Sequence, residues 1–126
     1  MIVVADTSCL NYLILIHHIE ALPKLYGRIL IPRTVYRELS AEMAPTPVRE
    51  WIESMPDWLV IHDVVNQDPS MAYLDKGEQD GIALAQMMHA DLIVLDDLDA
   101  RRAAEARNIS VTGTLGVLAK APPSGA

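Results

Sequence analysis

Two short apolar runs that each break off on acidic residues constrain this chain more than anything else in it. Ile2-Val3-Val4-Ala5 ends on Asp6, and Leu92-Ile93-Val94-Leu95 runs into Asp96, Asp97 and Asp99. A run rich in Val and Ile without polar alternation reads as a strand buried on both faces, the kind found in parallel sheets covered by helices. With helical segments between them the two strands are parallel, and right-handed crossovers bring their carboxyl ends to one edge of the sheet. Ligands bind in the crevice beyond that edge, so acids placed there are exposed to chemistry. Taken singly, Asp6, Thr7 or Ser8 has a plainer account as the cap of the next helix. The recurrence weighs against it: if the strands are neighbours, Asp6 converges on Asp96 and Asp97. Carboxylates packed that closely raise one another's pKa unless a cation neutralises them.

The remaining segments continue the alternation. Helices are predicted over 7–17, with Leu10, Leu13, Ile14 and His17 at helical spacing, and over 19–26, closed by Gly27. Residues 28–32 read as a second strand stopped by Pro32, and Thr34 as the N-cap of a helix in which Val35 and Leu39 face the core. Glu38 lies midway along that helix. A turn over 44–47 leads to a helix over 46–55, with Trp51 and Ile52 packed, and then to a third strand over 59–62. Residues 66–76 are polar and unpatterned, a surface loop. The helix over 78–89 is the clearest in the chain: Gly81, Ile82, Ala85 and Met88 share a stripe that includes Glu78, with Asp80 near its boundary. Glu78 is therefore the better candidate for an inward acid, although a first-turn Glu also complements the helix dipole. A helix over 98–108, a strand over 109–113 and a last helix over 115–121 capped by Thr114 complete the domain.

Composition bounds what such a domain does. At 126 residues the chain is one domain, and its single cysteine, Cys9, excludes an internal disulfide and makes a reducing compartment the default. The N-terminal apolar run contains Asp6 and carries no basic leader, so a cytoplasmic location without a membrane span is expected. A formal charge of −7 weighs against simple electrostatic capture of nucleic acid, unless clustered carboxylates hold divalent cations that meet the phosphates. Lys24, Arg28, Arg33 and Arg37 fall together, and Arg101, Arg102 and Arg107 form a second basic group; each reads as a solvated face before a binding surface.

Hard oxygen ligands without His or Cys select Mg²⁺ or Mn²⁺ over zinc. Such ions polarise a phosphoryl group, lower the pKa of an attacking water and steady the leaving oxygen, which is phosphodiester hydrolysis without a side-chain nucleophile. Asp6, Glu38, Glu78 and Asp97 would be the ligands, directly or through water, with Ser8 and Thr114 bonding metal waters or a phosphate.

Those stretches carry a resemblance. Val3-Val4-Ala5-Asp6-Thr7-Ser8, residues 31–39 around Glu38, residues 74–85 around Gly77-Glu78, residues 92–97 with Ala100-Arg101, and residues 111–118 resemble the PIN-domain ribonucleases, and within them the VapC-like toxins of bacterial and archaeal toxin–antitoxin pairs. The resemblance implies an α/β fold, a three-layer α/β/α sandwich with a central parallel sheet over 1–121, followed by a flexible tail over 122–126. It also implies an acidic Mg²⁺ (or Mn²⁺) site at the carboxyl edge and cleavage of RNA neutralised by a cognate antitoxin protein. Carried over residue by residue, the first acid is Asp6, the second Glu38 and the third Glu78. The fourth lies among Asp96, Asp97 and Asp99: Asp97 and Asp99 match when the loop is aligned on the following helix, Asp96 when it is aligned on the strand. Relatives continue past the helix over 115–121 with further helical material, and an outer face left uncovered favours a homodimer or another partner. The expected function is thus a Mg-dependent endoribonuclease, the toxin of a VapBC-type system. The alternative is a non-catalytic PIN-like module that binds RNA or protein. A receiver-like domain fits less well, because receivers carry the acidic pair early and the phosphoacceptor on the middle strand.

Overall fold

The three central strands of this chain are short and lack a polar face, so each has to be covered on both sides. The computed structural model describes residues 1–66 and 68–121; the tail expected over 122–126 lies outside them. Its five strands are β1 (Val3–Ala5), β2 (Ile29–Pro32), β3 (Leu59–His62), β4 (Leu92–Val94) and β5 (Val111–Thr112). They pair in parallel in the order β3-β2-β1-β4-β5, with Val4 opposite both Leu30 and Ile93. The chain winds outward from β1 through β2 to β3, then returns to lay β4 on the other side of β1. The reversal of strand order between β1 and β4 is the switch point at which open parallel sheets bind ligands.

The period-two alternation of a strand divides the core in two. Val3, Ala5, Ile29, Ile31 and Val94 face one layer, where they meet α1 (Thr7–Leu15), α2 (Ala21–Tyr26), α3 (Arg33–Ser40), α4 (Thr46–Glu53) and α7 (Thr114–Lys120). Val4, Leu30, Ile93 and Leu95 face the other, packed against α5 (Lys76–Met87) and α6 (Leu98–Ala106). The result is the three-layer sandwich that the resemblance implied. Val35 and Leu39, one turn apart on α3, are fully buried, as is Cys9, a core residue of α1. Trp51 and Trp58 pack tilted at 5.8 Å between ring centroids, an arrangement favoured by their quadrupoles. Among the described residues no helix is long and apolar enough to cross a membrane.

Local readings fail where a tertiary contact overrides the local signal. The helix expected over 7–17 stops at Leu15, and His17 turns the chain left-handed at φ 60. The polar stretch over 66–76 is not merely a loop. Met71 is fully buried at the end of a 3-10 turn over Pro69–Met71, and Leu74 is buried beside it in the core layer of α5 and α6. Two apolar residues three apart anchor a segment in which Pro69, Ser70, Ala72, Tyr73, Asp75 and Lys76 are exposed.

Candidate active site at the carboxyl edge

The ends of β1 and β4 are tied together by the backbone itself, since the N–H of Asp6 donates to the Val94 carbonyl at 3.2 Å. Asp6 occupies the N-cap position of α1, yet its side chain makes no capping bond to that helix. The carboxyl group is instead buried, with 4% of the residue exposed. Burial is the main cause that pushes its pKa up to about 7; the Thr7 backbone N–H opposes this, and the charges of Asp75, Glu78 and Glu38 add to it.

Glu38 and Glu78 reach the same place from α3 and α5. A Cβ built on Gly77 would overlap Glu38 Oε1 and would lie 3.5 Å from Asp6 Oδ1, so both carboxyl groups lie against the bare Cα of one glycine. The Thr7 hydroxyl holds Glu38 by donating to Oε1 at 2.7 Å, and burial raises the Glu38 pKa, with Asp75 and Asp80 adding to it. Glu78 closes a capping box: its N–H donates to Asp75 Oδ1 at 2.8 Å, and its Oε1 accepts from the Asp75 N–H at 3.2 Å. Its plain role in the first turn is therefore real, but the residue is also buried and its pKa is pushed to about 7, first by burial and then by the charges of Asp75 and Asp97. Asp97 caps α6, its Oδ2 accepting from the Ala100 N–H at 3.0 Å.

Gly77→Ala is expected to separate structure from site. Alanine in a helical turn is favoured over glycine by about 0.5–1 kcal/mol, and the added methyl displaces only the end of a flexible glutamate. The expected outcome is an unchanged or slightly higher melting temperature together with weakened divalent-metal binding, read by thermal melts and calorimetry on one preparation.

The remaining residues singled out in the sequence have other partners. Asp96 accepts from the Thr114 N–H at 2.7 Å with Oδ1 and from the Thr114 hydroxyl at 2.5 Å with Oδ2, locking α7 to the end of β4. Thr114 was expected as a cap, but it is the first residue of α7, and Gly113 takes the capping position. Thr34 departs in the same way: Pro32 holds the capping position of α3, and the Thr34 hydroxyl donates to Asp80. The physical reason is common to both, because each hydroxyl finds a carboxylate on another element and has no need of a backbone partner on its own. Ser8 is exposed and lines a cleft with Tyr12, Asp96, Thr114 and Leu115. Asp99 is exposed in the first turn of α6, where its charge complements the helix dipole.

Two acids were not singled out as site residues. Asp75 contributes charge to Asp6, Glu38 and Glu78 alike; its signal was the Asp-x-x-Glu capping-box spacing. Asp80, placed only at a stripe boundary, is 5% exposed and pairs with Lys76 at 3.5 Å.

The donor chemistry of Asp6, Glu38, Glu78 and Asp97 fits a hard divalent cation. All the side-chain donor atoms these four offer are carboxylate oxygens, and among the described residues no lysine, arginine or histidine forms an ion pair with any of them. Among the described residues no three acidic, His or Cys side chains stand close enough to grip an ion by themselves. Mg²⁺ tolerates that arrangement because it keeps several of its waters and takes one or two carboxylates.

Comparison with known proteins agrees with the fold. A family model described as PIN domain (DUF3368) matches residues 2–126. Among solved structures the chain is similar to a PilT N-terminus domain protein from the hyperthermophilic archaeon Sulfolobus solfataricus P2. The TM-score is 0.68 at 15% identity, over 94% of this chain and 92% of that one. Comparison with curated proteins gives no match.

Proposed function

The chain belongs to the PIN-domain family, and from that membership and the acid geometry we propose that it is a Mg²⁺- or Mn²⁺-dependent endoribonuclease, the toxin of a VapBC-type pair. PIN domains are generally nucleases, and divalent-metal binding is typical of them. One observation carries the reading furthest: Asp6, at the end of β1, and Glu38, on α3, both lie against Gly77, with the charge of Glu78 felt at Asp6 and, among the described residues, no cation paired with any of the three. Glu38 is exposed, but Asp6 and Glu78 are buried, and a fold gains nothing from burying two like charges in one place, since each is stabilised as a neutral acid and costs free energy as an anion. A divalent cation bound there would neutralise charge on a phosphodiester and lower the pKa of an attacking water.

The chain's own residues supply the rest. Asp6, Glu38, Glu78 and Asp97 are the groups that would hold the ion, directly or through water. Thr7 fixes one oxygen of Glu38, and the capping bond from Ala100 fixes one oxygen of Asp97; each acid keeps its second oxygen for the ligand. Without an ion, Asp6 and Glu78 each retain a proton close to neutral pH, so loading the site displaces protons. The Asp96–Thr114 clamp positions the start of α7 against this edge. In the toxin reading, a cognate antitoxin protein blocks the edge and a second copy of the chain covers an outer face.

The test is cleavage of single-stranded RNA by the purified protein. Activity is expected with Mg²⁺ or Mn²⁺, lost in chelator and restored by excess metal. Chelator-insensitive cleavage is inconsistent with the proposal. A second reading, a non-catalytic module that binds RNA or protein, draws on a specific observation: Asp96 and Asp97 are both bonded to the starts of helices, as purely structural acids would be. Metal binding without cleavage of any RNA favours that second reading.

A further inference from the structure

The basic residues that fall together in the sequence are separated by the fold. Lys24 and Arg28 precede β2 at the amino end of the sheet, where Arg28 lines a groove with Met1 and Ile2. Arg33 and Arg37 follow β2 at the carboxyl end, where they line a second groove with Lys76, Thr34, Asp63 and Asp80. We propose that Arg33, Arg37 and Lys76 form a phosphate-binding subsite that holds the RNA backbone beside the bond being cut. This inference rests on the nuclease reading above and adds to it the residues that anchor the substrate.

Three observations support it. First, the groove lies close to the acids: Arg37, which lines it, directly precedes Glu38 on α3, and Lys76, which also lines it, directly precedes Gly77, the residue against which Glu38 and Asp6 lie. Second, the cations are steered more than neutralised. Arg33 donates to Asp63 through Nε alone, at 2.7 Å, which leaves the paired terminal nitrogens of its guanidinium for a phosphate. Lys76 lies 3.5 Å from Asp80, and the other Asp80 oxygen is occupied by Thr34; among the described residues Arg37 makes no ion pair. Third, the chain has a net charge of −7 and needs a local positive surface to hold a polyanion against an acidic edge. Arg107, by contrast, is bound to Asp68 and Ser70.

The experiment measures binding of a labelled oligouridylate of about ten nucleotides to an Asp6→Asn background, with Mg²⁺ present, over a range of salt concentrations. Each phosphate contact to a single strand contributes about −0.7 to the slope of log K against log salt, so Arg33→Ala, Arg37→Ala and Lys76→Ala together should flatten it by roughly 2. Affinity at low salt should fall on the order of tenfold or more. Lys24→Ala with Arg28→Ala, at the opposite end of the sheet, should leave the slope unchanged. A flattened slope only in the triple variant supports the subsite, whether or not the wild type cleaves RNA. Equal slopes in all variants overturn the subsite while leaving intact a nuclease that cuts in the parallel assay. Absence of both binding and cleavage overturns the subsite and the nuclease reading together.

Discussion

Replacing Asp6 by asparagine is expected to abolish RNA cleavage and, in chelator at about pH 8, to raise the melting temperature. The two effects have one origin. Asp6 is buried with its carboxyl group against Gly77, among Glu38, Glu78 and Asp75, and at pH 8 it is ionised at a cost. Asparagine is nearly isosteric, keeps an oxygen that can accept from the Thr7 N–H, and removes the charge. A group with a pKa of about 7 in place of 3.8 opposes folding by an amount on the order of 4 kcal/mol once ionised, and the variant is relieved of part of it. In the proposed mechanism the same substitution removes a metal ligand, a loss expected to be worth several kcal/mol of transition-state stabilisation, or on the order of a thousandfold in rate. A residue whose removal stabilises the fold and silences the reaction is kept for function. Equal cleavage by the two proteins, or a lower melting temperature for the variant in chelator, runs against this account.

The stability of the metal-free protein should fall as pH rises from about 5 to about 8, and excess Mn²⁺ should reverse the fall. Asp6 and Glu78 both have raised folded pKa values, near 7 against ordinary values of 3.8 and 4.5. Between those limits the folded chain holds protons that the unfolded chain has already released, so unfolding releases protons and stability declines with pH. Each proton held this way corresponds to about 1.4 kcal/mol per pH unit, enough to lower the melting temperature of a chain this size by on the order of 10 °C across the window. Glu38 shifts in the same direction. Asp63 and Asp68, lowered by Arg33 and by Ser70 with Arg107, act oppositely, but only below the ordinary carboxylate range. Thermal melts in chelator at stepped pH measure this directly; a melting temperature that is flat or rises with pH contradicts the raised pKa values.

How much of this was legible in the sequence follows from where the signal is stored. The ends of β1 and β4 could be read because an apolar run that stops on a carboxylate is a local pattern. That the two strands are neighbours was left open by the sequence, because crossover handedness does not fix strand order, and it is the pairing of Val3–Ala5 with Leu92–Val94 that brings them together. Glu78 was legible from its place inside the apolar stripe of α5. What could not be read was which hydroxyl serves which acid. Thr7, Thr34 and Thr114 each sit at the start of a helix, where propensity assigns them to capping. Each donates instead to a carboxylate 18 to 46 residues away in sequence, on Glu38, Asp80 and Asp96. Likewise Asp96, Asp97 and Asp99 look alike along the chain and differ only in three dimensions: one clamps α7, one caps α6 near Glu78, and one faces solvent. The grouping of Lys24 and Arg28 with Arg33 and Arg37 was a coincidence of sequence, because a single strand lies between the pairs and carries them to opposite ends of the sheet.

Mn²⁺ titrated calorimetrically into the metal-free protein near neutral pH, in two buffers of different ionisation enthalpy, asks most directly whether the gathered acids exist to hold an ion. The predicted result is saturable binding at or below millimolar metal, with about one proton released per ion, and loss of both in Asp6→Asn. Absence of binding at millimolar Mn²⁺, or identical titrations for the two proteins, would contradict it.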